Sequence, residues 1–534
     1  MIRKSSIILF FVTLLSLLIF FEFFLRFYGV EFRIFLSDVS RKSKIHSYHD
    51  RFVTETKHAG VNEQTFNIYF LGESTMWGVP YGSQMSIPNM VEYRLGKNLG
   101  GRPVRIINFA SAAKDAAYVR YLFDFIVREK KIFHPSLIVI YSGHNEFLKF
   151  HPTEPDYQNS WLQWLTHHSE VARQLLTVIC RSNGEILEID QRKFMDQGIF
   201  PFDRNGYQKV VNHYGQHLLH MTKLAEENEI PVIVSTLASN SATWEPNRSV
   251  FCNSALARKQ KDRFIEIFQK GLAAERDQNY RVALEAYEQN LGICDSFSEV
   301  YFRKGVVNRN LQNYVQARED FQKAIDYDGM PIRALSGQNH FILSLERFDY
   351  TYVVNSLAYL RKTFPDGLVD DRLIIDGIHP NLDGYLLISE AIAQKIHSIF
   401  SNGQNPNGLR SLNSKSAKEI FHLDQLKLFE VSYSTGRWIS RLATWRYDPA
   451  QRLNVAESFF QEAVQLDPLK YEGYLGLGVL ALMKADDSAA EQFLQKARDI
   501  NVKSIDGYFQ KPWTRKILRR SNLKASFALP LTHN

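Results

Sequence analysis

Four short segments of this chain combine residue types that could carry out acyl transfer through a serine. They read GEST at 72–75, NFASAA at 108–113, GHNE at 143–146 and DGIHP at 376–380. Ser74 could act as the nucleophile, His379 as its general base, and Asp376 as the residue that orients the base. Asn145 could donate a hydrogen bond to the oxyanion that develops on the substrate. Each segment alone is also typical of a helix N-cap or a turn, so the hypothesis depends on their joint occurrence.

The first three segments lie where apolar, strand-like runs end. Four such runs occur at 67–74, 104–110, 136–146 and 231–240, and helical stretches such as 116–130 and 210–229 separate them. Continuous apolar strands that alternate with helices predict an α/β three-layer sandwich with a parallel central sheet. Ligands bind at the carboxyl ends of such strands, so we expect Ser74, Asn108 and Asn145 to meet at one edge of the sheet.

The four segments resemble the sequence blocks of the SGNH (GDSL-type) hydrolases, over about residues 62–255 and 329–400. The resemblance implies an ester hydrolase or O-acyltransferase that needs no cofactor or metal, with Ser74, Asp376 and His379 as the catalytic residues. It also implies an oxyanion hole made by the backbone N–H groups of Ser74 and Ala113 and by the side-chain amide of Asn145.

The second segment departs from the family pattern, since it ends in Ala113 where the family has glycine. Alanine keeps a backbone N–H but reaches positive φ less easily, and it adds a methyl group close to the substrate. Either the backbone there suits alanine, or the oxyanion hole is weaker. The first segment has Glu73 in place of aspartate, which keeps an acidic residue beside the serine.

Three further residues are candidates for contact with the substrate. Asn108 and His144 belong to the segments themselves. Arg333 is the one charge in the stretch 330–334, which leads back into the hydrolase part, and it could face the site; a surface salt bridge is the alternative.

Two pairs of segments repeat with a period of 34 residues, which is typical of tetratricopeptide repeats. The matched positions are Gly271 with Gly305, Ala283 with Ala317, Tyr287 with Phe321, Ala456 with Ala490, Phe460 with Leu494, and Ala463 with Ala497. They predict all-α repeats inserted at 256–328, which split the hydrolase domain into 62–255 and 329–402, and C-terminal repeats at 420–510. We expect the two pairs to stack on one another or to pack on the hydrolase domain, and to bind a partner protein.

The N-terminal segment 5–28 is apolar enough to span a bilayer core once. A cleaved signal peptide is the alternative, but bulky residues follow the apolar run where small residues would mark a cleavage site. The sequence thus predicts a signal anchor, a polar stalk at 29–61 and a tail at 511–534. With the basic N-terminus inside, it predicts a single-pass protein of a bacterial inner membrane with its catalytic domain in the periplasm.

The composition argues against several other classes of function. The net charge of +7 is spread over 64 basic and 57 acidic residues, with no basic run of the kind that binds nucleic acid. His213, His217 and His220 share one helical face, and we interpret them as a solvated or packed face rather than a metal site. Three cysteines are too few for a disulfide framework, and whether Cys252 pairs with Cys294 stays open.

These observations favour a membrane-anchored serine esterase or acyltransferase that acts on O-acyl esters of an envelope glycan or lipid, with repeats that recruit a partner. One alternative is a catalytically inactive hydrolase domain that serves as a scaffold for an envelope complex. Another is a carbohydrate-binding module that uses the same cleft without turnover. The intact set of Ser74, Asp376 and His379 favours the enzyme.

Overall fold

The structure, a computed structural model, describes residues 51–147, 204–252, 256–401, 408–444 and 449–509, with residues 149–150, 189–190 and 446. The chain divides into two compact units, of which the larger comprises residues 53–147 and 198–534. In the smaller unit the structure describes an antiparallel pair of short strands, β5 (Lys149–Phe150) and β6 (Ile189–Asp190). The predicted anchor at 5–28, most of the predicted stalk and the tail lie outside the described residues. Within the described part, no helix is both long and apolar enough to cross a bilayer.

The larger unit alternates strands and helices in its first half and is helical in its second. Its strands are β1 (Phe66–Gly72), β2 (Asn98–Leu99), β3 (Arg102–Asn108), β4 (Leu137–Tyr141), β7 (Val232–Ser235) and β8 (Thr351–Val354). The helices that follow or separate the strands are α1 (Ser74–Trp77), α2 (Ile87–Leu95), α3 (Ala116–Arg128), α4 (Lys130–Phe133), α5 (Arg204–Glu227), α10 (Ser336–Ser344), α11 (Ser356–Arg361) and α12 (Leu382–Phe400). Those inserted between β7 and β8 are α6 (Arg258–Arg276), α7 (Tyr280–Ile293), α8 (Ser298–Asn310) and α9 (Tyr314–Asp326). The C-terminal helices are α13 (Ser414–Ile420), α14 (Gln425–Ala443), α15 (Ala450–Leu466), α16 (Tyr471–Met483), α17 (Asp487–Ile500) and α18 (Val502–Phe509).

The six strands of the larger unit form one sheet in the order β2-β3-β1-β4-β7-β8. All neighbours are parallel except β2, which pairs antiparallel with β3 at the edge. Strands β1, β4 and β7 are buried along their whole length, which is why they read as unbroken apolar runs in the sequence. The predicted parallel sheet is confirmed, and the carboxyl ends of β1, β3 and β4 lie side by side.

Two groups of helices pack around this sheet. In one group α12 contacts α2 and α11, and in the other α5 contacts α3 and α10. The apolar face of α3 shows why such a helix folds onto a sheet, since Val119, Leu122, Phe123 and Ile126 are all buried. The helices therefore cover the faces of the sheet, and the candidate site segments lie at its strand ends.

The inserted and C-terminal helices form antiparallel pairs held by close glycine contacts. A Cβ placed on Gly271 would come within 2.5 Å of the Tyr287 ring, and one placed on Gly305 within 2.6 Å of the Phe321 ring. Among the C-terminal helices, Gly478 meets Leu494 in the same way. The small residues of the 34-residue period thus lie where one helix crosses the next, and their partners fill the space.

Candidate active site

Ser74 lies at the turn between β1 and α1, at the carboxyl edge of the sheet. The turn is tight, because a Cβ on Gly72 would come within 2.3 Å of the Tyr141 backbone oxygen. Gly78, at φ 110, ends the short helix α1. The Ser74 side chain is mostly buried but 7% exposed, and its backbone N–H opens a helix, where no intrahelical acceptor exists.

The loop between α11 and α12 brings His379 and Asp376 to the serine. His379 Nε2 lies 2.9 Å from Ser74 Oγ, and His379 Nδ1 lies 2.7 Å from Asp376 Oδ2. Burial alone would raise the pKa of Asp376, but the His379 ring and the N–H groups of Ile378 and His379 hold this pKa below its usual value. Asp376 therefore stays ionised and can stabilise the imidazolium that forms when His379 takes the serine proton.

Backbone contacts fix the position of this loop relative to α1. Asp376 Oδ1 accepts from the N–H groups of Ile378 (2.7 Å) and His379 (2.8 Å), which closes the turn. Thr75, the residue after the nucleophile, donates its hydroxyl to the Ile378 backbone oxygen at 3.2 Å. This second hydrogen bond, between the chain neighbours of Ser74 and His379, supports the one that the two side chains share.

The second segment places Ala113 in the left-handed region at φ 58, although alanine carries a Cβ. The residue is exposed, and its N–H donates to none of the described residues, so this N–H is available to an oxyanion. Asn145 is buried, and its Nδ2 donates to the Lys114 backbone oxygen at 2.8 Å. This bond uses one of the two amide hydrogens and orients the other, and it joins the second segment to the third.

The Glu73 side chain holds the backbone of the third segment in place by hydrogen bonds. It is fully buried, and its Oε1 accepts from the N–H groups of Gly143 and, at 2.8 Å, His144. Burial raises the pKa of Glu73 to about 8, against the lowering effect of those two N–H groups. An acidic side chain beside the nucleophile therefore shapes the loop that carries Asn145.

The structure buries two of the predicted substrate contacts. His144 is 1% exposed, and its Nδ1 accepts from the Ala334 N–H at 3.1 Å, because the chain after β4 turns into the protein at this point. Arg333 is also 1% exposed: it donates to the backbone oxygens of Asn240 and Trp244 and lies 3.5 Å from Asp328. Both side chains stabilise the packing around the site.

Asn108, the third predicted substrate contact, closes a turn. Its Oδ1 accepts from the Ala110 N–H at 3.0 Å, and its side chain is half-buried. This bond fixes the chain where it leaves β3 toward Ala113.

The three clustered histidines are hydrogen-bonded to protein groups. The Nε2 atoms of His213 and His217 are 2.9 Å apart, and His220 Nε2 lies 2.9 Å from Asp124 Oδ1. Burial lowers the pKa of His217 to about 3. In the parts of the chain that the structure describes, no group of three or more His, Cys, Asp or Glu side chains is placed to hold a metal ion.

Comparison with known proteins agrees with this geometry. The model of the GDSL-like lipase/acylhydrolase family matches residues 68–392, a span that includes Ser74, Asn145, Asp376 and His379. The chain belongs to this family. The acylhydrolase is therefore an enzyme that cleaves ester bonds.

The acylhydrolase is also similar to a number of solved structures. One is a candidate acylhydrolase from Bacteroides fragilis, at 12% identity and a TM-score of 0.27 over 66% of this chain and 96% of that one. A GDSL-like lipase from Bacteroides thetaiotaomicron has 13% identity and a TM-score of 0.25 over 66% and 98%. The tetratricopeptide protein YrrB, described as having an unusual peptide-binding site, has 16% identity and a TM-score of 0.13 over 46% and 88%. No curated protein matches the acylhydrolase.

The sequence reasoning missed two residues of the site. Lys114 supplies the backbone oxygen that orients Asn145, and its position directly after the second segment is a signal that could have suggested it. The Trp438 ring lies 6.5 Å from the His379 ring between centroids. No pattern in the sequence links a tryptophan of α14 to a histidine so far upstream.

Proposed function

We propose that this acylhydrolase removes O-acyl groups from an envelope glycan or lipid, at a membrane to which its N-terminal segment anchors it. The observation that carries the catalytic part is the unbroken chain of hydrogen bonds from Ser74 through His379 to Asp376. Such a chain raises the nucleophilicity of the serine and lets one imidazole serve first as base and then as acid.

The reaction follows from these positions. His379 Nε2 takes the proton of Ser74 Oγ as the oxygen attacks the ester carbonyl, and the N–H groups of Ser74, Ala113 and Asn145 stabilise the oxyanion. The alcohol leaves with the proton from His379, and a water molecule then attacks the acyl-enzyme by the same route. The left-handed backbone of Ala113 and its exposed position support catalytic competence despite the alanine of the second segment.

Turnover of 4-nitrophenyl acetate and 4-nitrophenyl butyrate by the wild type and by Ser74→Ala tests the activity. We expect the variant to lose essentially all turnover, since only binding and the oxyanion donors remain. Equal rates in both proteins would refute the proposed mechanism and favour the inactive scaffold. Addition of a soluble sugar alcohol then separates hydrolysis from transfer, because an acyltransferase would form a new sugar ester.

The membrane part of the proposal is supported by the length and apolarity of residues 5–28. The full chain and a chain that begins at residue 29 can be expressed in the same bacterial host. After an alkaline wash of the membranes, we expect the full chain in the pellet and the shortened chain in the soluble fraction. Release of both by the wash would contradict the anchor.

A partner protein is supported by apolar side chains that the inserted repeats expose. Val315 on α9 is 64% exposed and Ile265 on α6 is 47% exposed. A photo-crosslinking residue at position 315 should capture a defined protein in cells, and one at Ile132, which is 40% exposed on the hydrolase part, should not. Equal capture at both positions would mean nonspecific contact.

A further inference from the structure

Helix α14 of the C-terminal region runs along the catalytic edge. Near its end, the ring of Trp438 meets that of His379 at a centroid distance of 6.5 Å and an interplanar angle of 66°. Near its start, Lys427 Nζ lies 3.8 Å from the position that a Cβ would take on Gly82, in the loop that follows the Ser74 helix. Lys427 and Trp438 are about three helical turns apart and so share one face. One face of α14 therefore reaches from the nucleophile's loop to the catalytic histidine.

Buried contacts of the next helix, α15, hold this arrangement in place. Arg452 is 1% exposed and donates through Nη1 to Asn247 Oδ1 at 2.6 Å and through Nη2 to the Glu245 backbone oxygen at 2.5 Å. Its guanidinium lies 4.1 Å from the centre of the Trp244 ring. A buried, fully engaged arginine fixes geometry more strictly than a surface ion pair.

The segment that receives Arg452 also contacts the catalytic loop. Trp244 Nε1 is 3.1 Å from the position of a Cβ on Gly377, the residue after Asp376, and the Asn240 N–H donates to the Gly377 oxygen at 3.1 Å. The C-terminal helices and the histidine loop are thus both packed on one short stretch, 240–247. The position of Trp438 relative to His379 is set by the fold and not by a loose surface contact.

The chemistry of the histidine decides which part of a substrate Trp438 would meet. In the first half-reaction, the bond between Ser74 Oγ and the carbonyl carbon forms, and the bond between that carbon and the alcohol oxygen breaks. The alcohol oxygen takes its proton from His379 Nε2, so the alcohol portion must lie next to the imidazole. The acyl carbonyl oxygen points instead to Ala113 and Asn145.

We propose that Trp438 is a specificity-determining residue that contacts the alcohol portion of the ester, so that the C-terminal helices form one wall of the active site. The indole offers a broad apolar face, and Trp438 is half-buried with its Nε1 inside the protein, so the part of the side chain that is open to a ligand is apolar. Such a ring suits a cyclic alcohol that has apolar faces and a polar rim, as a sugar has. This inference rests on the ester hydrolysis proposed for Ser74.

The first test measures selectivity in the full chain. Kinetics of Trp438→Ala, Trp438→Phe and wild type are compared on methyl acetate and on a mono-acetylated methyl glucoside, which share the acyl group and differ in the alcohol. We expect Trp438→Ala to lower kcat/KM for the sugar ester about tenfold more than for methyl acetate, and Trp438→Phe to retain most of the preference. Leu426→Ala, on the same helix at a 53% exposed position, is the matched control and should behave as the wild type.

A second substrate pair distinguishes the alcohol side from the acyl side. The ratio of rates on 4-nitrophenyl acetate and 4-nitrophenyl butyrate should be the same in Trp438→Ala and wild type, because these esters share the alcohol. Equal losses on methyl acetate and the sugar ester would overturn the proposal, and so would a change in the acetate to butyrate ratio.

A binding measurement keeps this inference separate from the proposed activity. Calorimetric titration of the acetylated methyl glucoside into Ser74→Ala and into Ser74→Ala/Trp438→Ala needs no turnover, and we expect about tenfold weaker binding in the second protein. If the wild type cleaves no ester, the proposed function fails while this titration still tests the role of Trp438. If the wild type cleaves esters and both titrations agree, only the role of Trp438 fails.

Discussion

Replacement of Asn145 by alanine removes the side-chain donor of the oxyanion hole and should be among the most damaging single changes outside the triad. Loss of one preorganised donor costs about 100-fold to 1000-fold in kcat. The structure favours the upper end of that range, because the same amide also donates to the Lys114 backbone oxygen at 2.8 Å and so holds the backbone directly after Ala113. Without it, a second donor would lose part of its support. A 1000-fold loss corresponds to about 4 kcal/mol of transition-state stabilisation.

The assay is the steady-state hydrolysis of 4-nitrophenyl acetate, with kcat and KM determined separately. We expect kcat to fall and KM to stay nearly constant, because the bond to the oxyanion strengthens only in the transition state. Asn145→Asp is the matched variant: it keeps the shape but has no N–H to donate, and it adds a negative charge beside the oxyanion. It should be at least as slow as the alanine variant.

Stability measurements test whether Asn145→Ala loses activity because it unfolds. The alanine variant loses one partly buried hydrogen bond, worth about 1 kcal/mol, and should therefore remain folded in a thermal unfolding experiment. A kcat within about tenfold of wild type in a folded Asn145→Ala protein would refute the assignment of Asn145 as an oxyanion donor.

Three further predictions concern the support of the site. Because the pKa of Glu73 is about 8 in the fold against an ordinary 4.5, the folded state keeps a proton that the unfolded state releases, and stability should fall as pH rises between these values. Glu73→Gln should remove this fall in urea titrations from pH 5 to 8, and an unchanged slope would contradict it. Ala113→Gly should change the free energy of unfolding by no more than about 1 kcal/mol, since relief of left-handed strain opposes the greater freedom of the unfolded chain. The kcat of this variant should stay within about threefold of wild type. A tenfold rise in kcat would show that the methyl group obstructs the site. Arg452→Met and Glu245→Gln should each lower the free energy of unfolding by about 3 to 5 kcal/mol, because each leaves a buried charge without its partner. In chemical denaturation, the double variant should lose clearly less than the sum of the two single losses. Strict additivity would argue against a coupled pair.

The positions of the candidate catalytic residues and of the sheet could be predicted because local rules place them. Ser74 and Asn145 follow apolar strands of a parallel sheet, and the carboxyl ends of parallel strands meet at one edge. The spacing of Asp376 and His379 lets one tight turn bring carboxylate and imidazole together. These inferences need only the period of the strands and the order of the segments.

The remaining features depend on packing that no local pattern encodes. His144 is next to Asn145 in the sequence and Arg333 leads back into the hydrolase part, but other elements cover both side chains, and burial of that kind is decided by tertiary contacts. The conformation of Ala113 is likewise imposed by its neighbours, since alanine has no preference for positive φ. The contact of Trp438 with His379 could not be predicted, because the sequence of an amphipathic helix does not show which surface its apolar face will cover. The membrane anchor at 5–28 stays a prediction.

The hydrogen bond between Ser74 and His379 spans 305 positions of the chain, and this has a consequence for biosynthesis. A ribosome that adds about 5 to 20 residues per second needs roughly 15 to 60 seconds to travel from the codon of the nucleophile to that of its base. Throughout that interval the growing chain carries a serine without a general base, while the inserted helices are being made. The acylhydrolase is therefore inactive while it is being synthesised. Its reactivity begins only when the loop that carries His379 has left the ribosome and folded against Ser74.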